Sequence, residues 1–259
     1  MRLLYIGDIM GESGLQTVAK VLPDIKEQEK PDLIIAQAEN VTDGKGISIA
    51  DYRRLQKLGV DFCTGGNWTL NRSEIIKLLE DNNEPIIRPA NYPTGTPGLG
   101  HKYIGDTLVV SLLGSIVGKD AEQPVDNPLK TIDQILEKEQ GKFKALVVNL
   151  HGDYSSEKVI IGHYLDGKAT LVVGDHWHVP TADARVLPKG TAHITDVGMC
   201  GALDASLGVK FESVVPRWRD GRHTRNELET EGQRQFNAVL VDADEQNLAK
   251  NIKFMHKII

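Results

Sequence analysis

RLLYIGDIMGESGLQTVAK, residues 2–20, passes from an apolar run through an aspartate into helical spacing. The unbroken apolar stretch Leu3–Ile6 has the pattern of a strand buried on both faces. Beyond Asp8 the apolar residues recur at three- and four-residue steps, so a helix follows, with Ser13 and Gln16 placed for a capping box. The order repeats. DLIIAQAEN (32–40) precedes SIADYRRLQKLG (48–59), and VDFCTGGN (60–67) precedes SEIIKLLED (73–81). PIIRPAN (85–91) leads into a turn-rich loop and then TLVVSLLG (107–114), with a strand also expected to begin at His101. PLKTIDQILEKEQ (128–140) reads as a helix, followed by strands in KALVVNLHGD (144–153), ATLVVGDHWH (169–178) and AHITDVG (192–198). FNAVLVDAD (236–244) and NIKFMHKII (251–259) read as a strand pair around a turn. Alternating strands and helices predict α/β layers, and the later crowding of strands predicts two packed sheets.

At 259 residues, with 40% apolar and 25% charged side chains, the chain has ordinary globular composition. No repeat or linker divides it, so residues 1–259 are expected to form one domain. No apolar stretch approaches the ~18–20 residues of a membrane span, and the N-terminal run reads as a strand, not a leader. Two cysteines, Cys63 and Cys200, build no disulfide framework, so a cytoplasmic setting is expected. A formal charge of −6 argues against long nucleic acid as partner, and it leaves room for a small anion held through bound cations.

Polar residues stand at successive strand ends: Asp8, Glu39, Asn40, Asn67, His151, and the pair His176 and His178. In α/β sheets the carboxyl ends of strands gather at one rim, where sites are built. Each of these has a bland reading alone, as a turn residue, a helix cap or a packed histidine. Together they form an oxygen and nitrogen ligand set suited to iron, manganese or zinc. Seven ligands exceed one tetrahedral site, and Glu39 is able to bridge two ions, an arrangement that clamps a phosphoryl group and yields a metal-activated hydroxide. On a strand, His176 and His178 share one face, so each would serve one of two neighbouring metals. Trp177 would face away from them into packing.

GDIMG, AEN, GGN, NLHGD with SSEK, and GDHWHVPTAD resemble the motifs of calcineurin-like metallophosphoesterases, specifically the bacterial YmdB type. RPANYPTGTPG and GTAHITDVGMCG strengthen the narrower resemblance, which runs over nearly the whole chain. It implies a two-sheet β-sandwich flanked by helices and a binuclear centre. It also implies hydrolysis of phosphodiesters such as 2',3'- or 3',5'-cyclic nucleotides. It assigns Asp8, Glu39, Asn40 and His178 to one ion, and Glu39, Asn67, His151 and His176 to the other. Iron or manganese is the expected metal, with zinc or magnesium as alternatives, and a homo-oligomer is the expected assembly. The wider superfamily carries a histidine two residues after the first aspartate, where this chain has Met10; Asn40 fills that place in the narrower type.

The resemblance also implies a proton-donating histidine after Asn67, and this chain has Trp68 there. An indole N–H donates a hydrogen bond but is no acid at neutral pH. The competing reading is therefore a metal-binding, nucleotide-sensing regulator with weak turnover. GDIMGESG misses the G-x-G-x-x-G spacing, and neither a P-loop nor a nucleophile elbow is present. Ser155 and Ser156 are expected to cap a helix, His101 and His163 to pack or lie on the surface, and Lys45 and Arg88 to be solvated charges in preference to phosphate ligands.

Overall fold

The computed structural model describes residues 1–117 and 124–259. The chain begins with β1 (Arg2–Ile6), β2 (Asp8–Ile9), α1 (Gly11–Glu29), β3 (Leu33–Gln37), α2 (Ile49–Leu58), β4 (Phe62–Thr64) and α3 (Ile76–Glu80). A second set follows: β5 (His101–Ile104), β6 (Thr107–Leu113), α4 (Pro128–Lys138), β7 (Ala145–His151), α5 (Ser155–Tyr164), β8 (Leu171–Asp175), β9 (Arg185–Val186) and β10 (Ala192–Ile194). The chain then returns to the first sheet through β11 (Met199–Ala202), α6 (Phe211–Asp220), β12 (Arg234–Ala243) and β13 (Ala249–Ile258). One sheet runs in the order β2-β11-β12-β1-β3-β4, with β13 against β12; the other runs β5-β6-β7-β8-β10-β9.

Side-chain alternation sets the layers. Leu3 and Tyr5 of β1 face inward with Ile35, Phe62, Val147 and Val173, filling the space between the sheets. Leu4 and Ile6 point the other way, against Leu15, Val18 and Leu22 of α1 and Tyr52 and Leu55 of α2. On the far side Val110, Val148 and Val172 cover Ile132 and Ile135 of α4 and Ile161 of α5. The expected two-sheet sandwich flanked by helices is therefore the observed architecture. Strands β1, β3 and β4 are mutually parallel, as are β6, β7, β8 and β10, so their carboxyl ends open on one rim.

Several local expectations are corrected. The first helix starts at Gly11, with Met10 as its cap, because the chain turns into it directly from β2. Ser13 therefore lies inside the first turn, its hydroxyl buried without a partner, and Gln16 bonds Glu12 instead; no capping box forms. The cap of α5 is Tyr154, and neither Ser155 nor Ser156 makes a capping bond. Arg88 is no solvated charge: it is buried and donates to the carbonyls of Pro89, Thr96 and Pro97, tying down the turn-rich loop. Strand β8 stops at Asp175, and His176 and His178 follow in a turn with φ of 106° and 63°. The strand-face argument for these two histidines fails. They reach the rim through left-handed backbone, which non-glycine residues adopt at a cost of order 1–3 kcal/mol.

Candidate metal centre

The rim gathers all seven residues singled out by sequence. His151, the last residue of β7, presents Nε2 to three groups at once: Glu39 Oε1 at 3.0 Å, Asn67 Oδ1 at 2.9 Å and His176 Nδ1 at 2.8 Å. Glu39, His151 and His176 each bring a ligand atom within 4.8 Å of the others. Beside them stand Asp8, Asn40 and His178. His178 Nε2 is 3.3 Å from Asn40 Oδ1 and 3.9 Å from Asp8 Oδ1. Asn40 donates its amide to Gly44 O at 3.0 Å, which turns its oxygen toward the histidine.

Charge and proton counts indicate what this arrangement suits. A ring nitrogen carries at most one proton, so His151 Nε2 cannot make full bonds to the Glu39 and Asn67 oxygens together, with His176 Nδ1 a third neighbour. Asp8 Oδ1 is buried with no hydrogen-bond partner, an expensive orphan. Burial, then the charge of Asp175, drives the Asp8 carboxyl well above its ordinary range. Burial alone would raise Glu39, but His151 and the Trp68 N–H hold it below its ordinary value. Burial would lower His151, yet Glu39 and Asp175 hold it well above its ordinary value. Burial pushes His176 and His178 down to about 4, leaving neutral imidazoles with free lone pairs. The neutral imidazoles of His176 and His178 and the buried oxygens of Asp8, Glu39 and Asn67 form a donor set that suits a divalent cation, whose binding would displace the proton held on His151.

Neighbouring groups fix these side chains. Asp175, fully buried, accepts from Tyr5 at 2.8 Å and lies 2.7 Å from His151 Nδ1. The sequence reading missed it, although an acid ending an otherwise apolar strand just before the histidine pair was a usable signal. Asp196 was also missed; it takes the backbone N–H of Trp177 at 2.9 Å and the ammonium of buried Lys158 at 2.8 Å, holding the turn of His176 and His178. Trp177 donates its indole N–H to Asp153 O and lies under Lys158. Asp153 Oδ1 is 3.5 Å from His176 Nε2.

Trp68 sits at the edge of the cluster. Its backbone N–H donates to Glu39 Oε2 at 2.8 Å, and Lys45 Nζ lies 3.8 Å above its ring. Lys45 is exposed, as expected, and it stands at the site. Both line a cavity of about 570 Å³ with Glu39, Asn40, His176 and His178. Its outer wall comes from Arg217 and Trp218 of α6, a helix the sequence reading did not assign. Cys63 and Cys200 lie elsewhere in the core, burial raising both thiols to about 12. No helix of the described residues is long and apolar enough to cross a membrane.

The profile of a family described as YmdB-like protein matches residues 4–255. A 2',3'-cyclic-nucleotide 2'-phosphodiesterase from Bacillus subtilis is 37% identical over 249 residues, covering 95% of this chain and 92% of the relative. A putative phosphatase/phosphodiesterase from Mycoplasma pneumoniae is 30% identical, over 98% of this chain and 91% of its own length. A crystal structure described as a phosphatase from Mycoplasma pneumoniae superposes with a TM-score of 0.91 at 28% identity, covering 100% of this chain and 93% of the other.

Proposed function

Since the chain belongs to the YmdB-like family, we propose that it is a metal-dependent phosphodiesterase acting on cyclic phosphates of small nucleotides. The observation that carries this reading is the convergence of Glu39, Asn67 and His176 on one nitrogen of His151, beside the orphaned oxygen of Asp8. Asp8, Glu39, Asn40 and His178 would hold one ion, and Glu39, Asn67, His151 and His176 a second. Bound there, two iron or manganese ions would acidify a water and neutralise phosphoryl oxygens.

The chain's own groups do the rest. Asp175 orients His151, and the Trp68 N–H holds one oxygen of Glu39 so that the other faces His151. Lys45 contributes an ammonium to the cavity wall, where phosphate charge must be accommodated. As a water oxygen bonds to phosphorus, the bond to one ribose oxygen breaks; that oxygen ends as a hydroxyl, its proton replaced through solvent, while the other ribose oxygen keeps the phosphate as a monoester. No side chain in the Trp68 position gives that ribose oxygen a proton. The second reading, a nucleotide-sensing regulator with weak turnover, rests on this feature.

Metal content and turnover measured on one purified sample test the proposal. Close to two ions per chain and hydrolysis of 2',3'-cyclic nucleotides are expected. Glu39→Ala should deplete both ions together, and His178→Ala mainly one. Absence of bound metal after reconstitution with manganese or iron would overturn it.

A further inference from the structure

A second cavity, of about 700 Å³, adjoins the metal cavity and shares with it the wall formed by Lys45, Arg217 and Asn226. Arg222, His223 and Arg225 also line it, over apolar Met10, Val209 and Leu228, and the one acid among the described lining residues, Asp43, is engaged by Arg72 at 2.8 Å. Such a concentration of cations is unexpected in a chain of formal charge −6. Among the described residues, Lys45, Arg217 and Arg225 have no carboxylate within ion-pair distance, whereas Arg222 lies 3.5 Å from Asp220. The cavity is also organised. Arg217 bonds Thr224 O at 3.1 Å, Thr224 Oγ1 at 3.0 Å and Asn226 Oδ1 at 2.6 Å, holding the loop that carries Arg225 against α6. Trp218, 83% exposed, stands beside Arg217 at the mouth of the metal cavity, presenting a π-face on which a base can stack.

We propose that the cation-lined cavity is a subsite for a second phosphate of the substrate, separated by one nucleoside from the phosphate at the metal cluster. The proposal rests on the phosphodiesterase reading and narrows its substrate class. Preferred substrates carry a second phosphate, either as a 5'-monoester on a cyclic mononucleotide or as the internal diester of a short oligonucleotide ending in a cyclic phosphate. Guanidinium groups suit either, since their forked donors match phosphate oxygens. A cavity of about 700 Å³ has ample room for a phosphate with its attached sugar.

The test uses manganese-reconstituted protein and three probes: adenosine 2',3'-cyclic phosphate, its 5'-phosphorylated form, and the adenylyl-adenosine dinucleotide ending in a 2',3'-cyclic phosphate. For each, kcat/KM is measured by product formation and affinity by calorimetry. One or both probes with a second phosphate should be favoured about tenfold, through KM, and less so as salt rises. A gain confined to the 5'-monoester identifies a terminal-phosphate site, and one for the dinucleotide an internal-phosphate site. Arg225→Ala should erase the preference and Arg225→Lys restore part of it, while Arg219→Ala, outside both cavities, should leave the ratio unchanged. Equal affinity for all three probes, or an equal loss for all three in Arg225→Ala, overturns the subsite. If no probe turns over yet the second phosphate still tightens binding through Arg225, the hydrolytic reading falls and the subsite stands.

Discussion

The Nδ1 of His151 sits 2.7 Å from a carboxylate oxygen of Asp175, with both side chains fully buried. Because Nδ1 is engaged there, Nε2 is the nitrogen presented to Glu39, Asn67 and His176. A carboxylate in this position fixes the tautomer and ring orientation of a ligating histidine, and losing such a partner costs about 10–100-fold in metal affinity. Asp175→Asn, which preserves shape and removes charge, should weaken metal retention by that amount in competition with a chelator. Unchanged retention would show that Asp175 serves the fold alone.

Gly66 tests the geometry from the opposite direction. A Cβ there would meet Glu39 Oε2 and the ring of His151. Both groups are locked, Glu39 by the Trp68 N–H and His151 by Asp175. Gly66→Ala should therefore displace ligands and lower metal content while the metal-free protein keeps its circular dichroism. Full metal occupancy in this variant would mean that the cluster is looser than its contacts indicate.

The Lys158–Asp196 pair, 2.8 Å apart and fully buried, supports the turn carrying His176 and His178. Removing one partner of a buried ion pair leaves an unpaired charge and costs ~3–5 kcal/mol. Lys158→Met should lower urea-unfolding stability by that amount, and adding Asp196→Asn should recover part of it. If the double variant is as unstable as the sum of the two single ones, the pairing is not what stabilises this turn.

Several strand ends were legible because a buried apolar run gives way, at its end or shortly after, to a residue able to bind a cation. Asp8, Glu39, Asn67 and His151 were readable for this reason. The histidine pair was placed at the right rim by the wrong geometry, since no period-two pattern reveals that β8 stops at Asp175. Helix α6 escaped because its apolar residues do not mark a buried face. Phe211, Val215 and Trp218 are exposed, and Pro216 lies inside it. Lys45 is exposed, as read from the sequence, but its contact with Trp68 depends on folding and had no local signal.

Trp68 joins the Glu39 contact to the question of the proton. The contact comes from the backbone N–H, so replacing the indole leaves that hydrogen bond to Glu39 in place. General-acid assistance is typically worth ~10²–10⁴-fold, or roughly 3–5 kcal/mol of barrier. It matters most for a ribose oxygen, a poor leaving group, and least for an aryl oxide, which departs unprotonated. Trp68→His should therefore raise the rate on 2',3'-cyclic nucleotides while barely changing the rate on an activated aryl phosphodiester. Lys45 bears on the interpretation, because its ammonium already lies 3.8 Å from the ring. If Lys45 assists the leaving oxygen, Lys45→Met should lower the cyclic-nucleotide rate in the Trp68 protein more than in the Trp68→His variant. Equal effects of Trp68→His on both substrates, or none on either, would remove the case for an enzyme slowed by its missing acid.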